Sequence, residues 1–352
     1  MSEYLKKMEE RGFEELVMVQ DSSVGLKAVI AIHNTNRGPA LGGTRMWTYP
    51  SEDAAVEDVM NLAEGMSYKS AAAELPLGGG KGVIIGDPHK DKSEALFRVY
   101  ARYVNRLHGL FMTAADMGIH GEDLDCMRRE CEYIIGGEAI GSPSPFTAYG
   151  VWHGIKACTQ EKYGSPSLEG KVVAIQGIGS VGSALCQHLY EDGTKLIVTD
   201  IDQSLLKEAE ERWQAKTVEP DAIYSQECDI FAPCGIGGVI NDETIEQLKC
   251  GIVAGAANNI IKEPRHGKAL KDKGILYAPD YIINAGGIIF VEMKRHGFTN
   301  EEEIKKVIAR IKDRLEEIFR RSREQSMLPE ELADIFAEER LRKEVVERKW
   351  SE

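Results

Sequence analysis

Hydrophobic positions change their spacing repeatedly along this chain, and the spacing predicts its elements. "EELVMVQ" and "GLKAVIAIHN" alternate apolar with polar residues and are rich in β-branched side chains, which predicts two strands. In "SEDAAVEDVMNLAEGMSYKSAAA" the apolar residues Ala55, Val56, Val59, Leu62, Ala63 and Met66 recur at helical spacing. "LPLGGGKGVIIGD" reads as a glycine turn into the strand "GVIIGD"; a helix from about Ser93 to Leu107 and a strand ending in "FMTAADMG" follow. "GGEAIGSPSPFTAYG" concentrates Gly, Ser and Pro before a helical pattern returns, as an inter-domain crossing does, with the boundary near residue 140.

From Lys171 onward the β-rich runs "KVVAIQ", "KLIVTD", "CDIFAP", "GIVAGA", "GILYAP" and "YIINAGG" alternate with helical stretches. That alternation implies crossover connections and a mostly parallel, doubly wound sheet. The segment "TNEEEIKKVIARIKDRLEEIFRRSREQ" opens with a T-x-x-E capping box and keeps Ile304, Val307, Ile308, Ile311, Leu315 and Ile318 on one stripe, so it should pack on the body.

Composition narrows the class. A chain of 352 residues, 43% apolar and 28% charged, can bury the cores of two globular domains. A net charge of −14 repels nucleic acid and anionic membrane surfaces. The charged N-terminus has no apolar h-region and no stretch is long enough to span a bilayer, so the expected location is the cytoplasm. Seven scattered cysteines without a C-x-x-C pair read as free buried thiols, and eight histidines without zinc-ligand spacing argue against a metal site.

"KVVAIQGIGSVGSALCQHLYEDGTKLIVTD" contains a strand, Gly177, Gly179 and Gly182 in G-x-G-x-x-G spacing, an amphipathic helix, a second strand and Asp200 at its end. Gly177 makes the tight turn, Gly179 lets a pyrophosphate approach, and Gly182 lets helix pack on strand. The N–H groups that open the helix at Ser180 and Val181 face the phosphates. Asp200 accepts hydrogen bonds from ribose hydroxyls and repels a 2′-phosphate, which favours NAD over NADP.

Gly78, Gly79 and Gly80 lead to Lys81, but Leu75 and Gly82 stand where a nucleotide phosphate loop needs glycine and Ser/Thr. Taken alone, the stretch reads equally as an anion site or as a tight turn with a solvated lysine. Lys69, near a helix end, supplies a second cation. Two ammonium groups in one cleft would lower the pKa of one into the range of a general base while the other holds a carboxylate. Asp116, after "FMTAAD", is placed to exchange protons with a departing amine. Arg45 reads as an ion-pair partner rather than a substrate clamp.

The blocks "GPALGGTRMW", "GMSYKSAAAELPLGGGKGVIIGDP", "AADMG", "SPSPFTAYGV", "GSPSLEGKVVAIQGIGSVG", "CDIFAPC" and "YAPDYIINAGG" resemble the signatures of the glutamate/leucine/phenylalanine/valine dehydrogenase family, nearest its leucine dehydrogenase branch. The resemblance implies NAD-dependent, reversible oxidative deamination of an apolar L-amino acid. Lys69, with main chain at Gly42 and Gly43, would bind the substrate carboxylate. Lys81 would activate water, with the preceding glycines clearing space for it to meet the reacting carbon, and Asp116 would handle protons at the amine. Thr147 would sit beside the nicotinamide carboxamide, Asn259 and Asn284 would position nicotinamide and substrate, and Leu41, Ala114, Ile288 and Val291 would line an apolar pocket. A homo-oligomer, an octamer in similar enzymes, is implied as well.

The expected α/β architecture is therefore an N-terminal catalytic domain over residues 1–140, a Rossmann-type NAD-binding domain over 141–325, and a last helix, about 326–352, returning to the first. Leucine, isoleucine or valine is the favoured substrate and phenylalanine the alternative. Glu74, Gly82, Ala115 and Phe290 depart from the family pattern. A non-catalytic NAD-binding regulator would have lost the lysines and Asp116, which survive. A 2-hydroxy acid dehydrogenase would need a His/carboxylate base that no spacing supplies.

Overall fold

The computed structural model describes residues 3–136 and 140–342; positions 137–139 of the expected crossing and 343–352 of the expected last helix lie outside them. The chain divides into two compact units, Met1–Ser142 with the chain from Phe336 onward, and Pro143–Ile335.

The first unit runs α1 (Glu3–Arg11), β1 (Glu15–Asp21), β2 (Leu26–Asn34), β3 (Ala40–Trp47), α2 (Glu52–Ala72), β4 (Gly78–Ile85), α3 (Glu94–Asn105), β5 (Phe111–Ala115) and α4 (Gly121–Arg128). Its sheet has the order β1-β2-β4-β3-β5. β1 and β4 pair antiparallel to β2, while β3 runs parallel to both β4 and β5. Helices cover both faces. On one, Ala55, Val56, Val59, Met60 and Ala63 of α2 pack on Val29, Ala31 and Val83. On the other, Leu96, Phe97, Tyr100, Ala101 and Val104 of α3 pack on Ile30, Ile32, Ile84 and Phe111. Ser51 caps α2, its hydroxyl accepting from the Ala54 N–H at 3.1 Å.

The second unit contains α5 (Ser144–Tyr163), β6 (Val172–Gln176), α6 (Ser180–Glu191), β7 (Lys195–Thr199), α7 (Gln203–Trp213), β8 (Lys216–Thr217), a 3-10 turn (Pro220–Ser225), β9 (Ile230–Pro233), β10 (Ile252–Val253), α8 (Arg265–Asp272), β11 (Leu276–Tyr277), α9 (Asp280–Ile283), α10 (Gly286–Arg295), α11 (Glu301–Ala309), α12 (Ile311–Gln325) and the start of α13 (Pro329–Arg342). Its sheet, β11-β10-β9-β6-β7-β8, is parallel throughout. The division between units falls inside α13. Beyond it Arg340 Nη2 donates to Glu74 Oε1 at 2.7 Å and Tyr68 Oη to Glu338 Oε1 at 3.2 Å, both bonds lying within the first unit.

Several elements differ from the pattern-based expectation. The glycines before Lys81 are not a turn: β4 begins at Gly78, and none of the three has a positive φ. β3 has no alternation to reveal it, because Gly42 and Gly43 interrupt the run. "YIINAGG" is helical, and its uninterrupted apolar character comes from a buried helix end. The expected single tail helix breaks at Arg310 into α11 and α12, and the N-cap of α11 is Asn300, accepting from the Glu302 N–H at 3.0 Å, rather than Thr299. Only Cys131, Cys158 and Cys186 are buried thiols; Cys126, Cys228, Cys234 and Cys250 are partly exposed, and all are free. Among the described residues no helix is long and apolar enough to cross a membrane, and no cluster of His, Cys, Asp or Glu is placed to hold a metal ion.

Candidate active site

β4 lies closer to α2 than side chains permit. A Cβ at Gly79 would stand 2.1 Å from the Ser67 nitrogen and 2.6 Å from the Ala63 carbonyl oxygen, and one at Gly42 would stand 1.6 Å from the Gly80 oxygen. The glycines therefore serve contact between helix and strands, and Ser70 Oγ fastens it by donating to Gly78 O at 3.2 Å. This packing carries Lys69 in the last turn of α2, half-buried, and Lys81 in the middle of β4.

Lys81 is 6% exposed, the single buried lysine among the described residues. Its Nζ lies 2.9 Å from Asp116 Oδ2. Because β3 separates β4 from β5, Asp116, just past the end of β5, reaches Lys81 across the intervening strand. Gly43 leaves the path open: a Cβ there would stand 2.9 Å from that of Asp116. Burial is the largest influence on Lys81 and pushes its amine below the ordinary lysine range; Asp116 opposes this and Arg45 adds to it. Burial pushes the Asp116 carboxyl up, but Lys81 and Arg45 outweigh it and hold the group below its ordinary value. The cation that acts most strongly on Lys81 is thus Arg45, where sequence reasoning paired it with Lys69. Arg45 is an ion-pair partner as expected, bound to Asp116 and Asp58. Leu41 is buried and Ala114 half-buried on the neighbouring strands.

In the second unit, Gly177 has a φ of 87° and opens the turn after β6, and Gly179 is the N-cap of α6 with open space around it. Gly182 packs so closely that a Cβ would stand 2.1 Å from Gly177 O. Ser180 is exposed and Val181 half-buried in the first turn, whose N–H groups have no partner within the helix. Asp200, at the end of β7, accepts from the Ile178 N–H at 2.7 Å and from the Asp202 N–H at 3.0 Å. Beside it lies a cavity of about 360 Å³. Its lining includes Ile201 and Ile236, 91% and 73% exposed, the two most exposed large hydrophobic residues described.

Thr147, near the start of α5, donates to Pro143 O at 3.1 Å, and Gly287 of α10 abuts its hydroxyl. Ile288 is buried and Val291 half-buried on α10. Phe290, between them, is 2% exposed and stacks on Phe146 with centroids 4.0 Å apart. Asn284 is buried. Its Nδ2 donates to Asn258 Oδ1 at 2.8 Å and to the Ala256 and Ala257 carbonyls, while its Oδ1 has no partner. Asn259 is exposed with a φ of 52°, a left-handed conformation that asparagine tolerates.

Comparison with known proteins decides the family. Residues 13–133 match the model for the Glu/Leu/Phe/Val dehydrogenase dimerisation domain, and residues 141–207 and 198–348 match the Glutamate/Leucine/Phenylalanine/Valine dehydrogenase model. The chain belongs to this family. It is 52% identical to leucine dehydrogenase from Geobacillus stearothermophilus over 343 residues, 96% of this chain and 93% of the relative. It is 53% identical to leucine dehydrogenase from Thermoactinomyces intermedius over 338 residues, 95% and 92% of the two chains. The crystal structure of L-tryptophan dehydrogenase from Nostoc punctiforme superposes with a TM-score of 0.86 at 41% identity, covering 96% of this chain and 98% of that one.

The protein is accordingly an amino acid dehydrogenase that acts on a CH–NH2 group. Within this family member, sequence reasoning overlooked Asp58 and Tyr49 behind Arg45, and Ile201 and Ile236 beside Asp200. The first pair has no motif. The signal for the second was two isoleucines in turns that otherwise carry glycine and acid.

Proposed function

We propose that this enzyme is an NAD-dependent dehydrogenase of branched-chain aliphatic L-amino acids, reversibly converting them to the 2-oxo acid, ammonia and NADH. The observation that carries the reading is a buried Lys81 ion-paired with Asp116 in a chain half-identical to leucine dehydrogenases. In support, the positions that the family resemblance assigns to the substrate pocket, Leu41, Ala114, Ile288 and Val291, are all apolar and offer no cation for a second carboxylate.

A dinucleotide fits the second unit: N–H groups without partners inside the helix open α6, Gly179 stands in open space, and exposed isoleucines flank the cavity at Asp200. Ser180, Val181 and Gly182 would face its phosphates and Asp200 its ribose, which favours NAD. Thr147 and the unpartnered Asn284 Oδ1 would meet its carboxamide. When bound it supplies the hydride acceptor.

Lys69 holds the substrate carboxylate, together with the main chain of Gly42 and Gly43. The unprotonated substrate amine releases hydride from Cα and becomes an iminium. Neutral Lys81 takes a proton from water as the water oxygen bonds to that carbon. The proton held by Lys81 then passes through Asp116 to the nitrogen, and as ammonia leaves Lys81 takes the hydroxyl proton, so the C–O bond becomes the carbonyl of the 2-oxo acid. Protonation of Lys81 below its lowered pKa removes the base, so kcat/KM falls towards acid.

The protein works as a cytoplasmic homo-oligomer, octameric by analogy with similar enzymes; the dimerisation-domain match over residues 13–133 supports assembly. The test is NADH absorbance with NAD or NADP and each aliphatic and aromatic L-amino acid. Leucine, isoleucine or valine with NAD should give the highest kcat/KM. Lys81→Ala should abolish turnover while NADH fluorescence titration gives an unchanged Kd. Turnover at the wild-type rate in that variant, or preference for an aromatic substrate, would reject the corresponding part of the reading.

A further inference from the structure

One oxygen of Asp116 receives two cations: Lys81 Nζ lies 2.9 Å from Oδ2, and Arg45 Nε donates to the same atom at 3.0 Å. The guanidinium is itself held from behind. Its Nη1 donates to Asp58 Oδ2 at 3.0 Å, and Tyr49 Oη donates to that oxygen at 2.5 Å. We infer that Arg45, oriented by Asp58 and Tyr49, is a positioning residue for the reaction: it fixes the Asp116 carboxylate across β3 and thereby fixes the amine that the carboxylate holds.

The inference rests on the reading of Lys81 as the base. Held only by Lys81 and the Met117 N–H, the carboxylate could still turn about its side-chain torsions. Arg45 prevents this because its planar fork spans both acids, Asp116 at the end of β5 and Asp58 on α2, and so ties β3, α2 and the end of β5 together. Arg45 is 19% exposed in its side chain, Asp58 29% and Asp116 23%, so the relay is shielded from bulk water without being sealed.

The same arrangement has an electrostatic consequence with a definite sign. The elements around Lys81 carry Arg45 on β3 and Tyr49 after it, Glu52, Asp53, Glu57, Asp58, Glu64, Tyr68 and Lys69 on α2, Asp116 after β5, and Lys27 and His33 on β2 as their titratable and charged groups. Of these, Glu64 pairs with Arg11, and His33 Nε2 faces Arg11 O. Arg45 disfavours a charged Lys81, whereas Asp58 favours it. Removing the two charges must therefore move Lys81 in opposite directions, which a loss of packing does not do.

The experiment follows kcat/KM against pH for the full-length enzyme with its best amino acid and NAD. Arg45→Gln should move the acid limb to higher pH by about one unit and Asp58→Asn should move it lower, the scale of partly screened charges at this range. Arg45→Lys restores the charge but not the fork, so its limb returns towards wild type while kcat stays roughly tenfold low. Limbs that coincide with wild type, or move the same way in Arg45→Gln and Asp58→Asn, overturn the inference. If Arg45→Gln fails to fold, Asp58→Asn and Arg45→Lys carry the test. If the wild type reduces no NAD with any amino acid, the functional reading fails separately. Competitive acetylation of Lys81 by trace acetic anhydride then reads the same two shifts without turnover.

Discussion

Adding one methyl group at Gly79 tests why β4 begins with glycines. In Gly79→Ala the new Cβ meets backbone on α2, the Ser67 nitrogen at 2.1 Å and the Ala63 oxygen at 2.6 Å, as well as Ser67 Oγ at 2.3 Å. Backbone in the middle of a helix cannot rotate aside, so α2 must retreat by about an ångström to restore ordinary contact. Overpacking of this kind costs about 3 kcal/mol, the upper part of its usual range, because the helix is sandwiched on a sheet. For a unit of this size that is a fall in Tm of roughly 6–12 °C. Catalysis should suffer more than stability, since Lys69 rides on α2 and Lys81 on β4: a shift of about 1 Å costs on the order of a hundredfold in kcat/KM. Gly65→Ala is the matched control on the same helix. Its Cβ meets nothing within 4 Å, so relief of glycine's backbone entropy should stabilise the protein by about 0.5–1 kcal/mol with kcat/KM unchanged. Differential scanning calorimetry and NADH formation read both variants. A Gly79→Ala enzyme with wild-type Tm and wild-type kcat/KM would refute the close-packing account.

Three further outcomes follow from other contacts. Burial pushes the Glu330 carboxyl up to about 7 from 4.5, and its Oε1 has no partner. A raised folded pKa means stability present below the ordinary value and lost as pH rises through about 7, so Glu330→Gln should gain up to about 3 kcal/mol over wild type above about pH 8 and lose that advantage near pH 5. A variant-to-wild-type difference in Tm that stays constant with pH would contradict this. At Gly82 a Cβ would stand 2.1 Å from Tyr100 Oη, which also bonds Thr44 Oγ1 at 2.8 Å in a buried hydroxyl chain extending to Thr113. Gly82→Ala should therefore be less damaging on a Tyr100→Phe background, by a coupling of about 1 kcal/mol in urea unfolding, and additive effects would dismiss the clash. Cys228 and Cys250 stand opposite each other in the register that joins Glu227 to Lys249 and Ile230 to Ile252. Diamide, an azo oxidant, should couple these two first, each thiol giving up its hydrogen to the reduced azo group. Peptide mapping that places the first disulfide elsewhere would refute the pairing.

Elements with one buried face were legible in the sequence, and those whose form is set by a neighbour were not. α2 declares itself because Ala55, Val56, Val59 and Ala63 all face the sheet, and β1 and β2 through their β-branched residues, although β2 is the exception to the rule, with Ile30 and Ile32 buried on one face and Val29 and Ala31 on the other. β3 stayed hidden: the strand that must let Asp116 pass over it carries Gly42 and Gly43, and the absence of side chains that makes the crossing possible also erases the alternation that marks a strand. The glycines before Lys81 were legible as a demand for close approach but not for what approaches, since helix backbone and ligand require the same absent Cβ. For the site itself, residue type and strand end pointed to Lys81 and Asp116, whereas Arg45 was readable only as a partner for some acid. Which acid it binds depends on sheet order, because β4, β3 and β5 stand side by side although α2 intervenes in sequence between β3 and β4. The polarity of a buried ion pair is thus written locally, and its geometry is written in the topology: Asp58, thirteen residues from Arg45 along the chain, becomes the far end of the same relay only once α2 has folded back over the sheet.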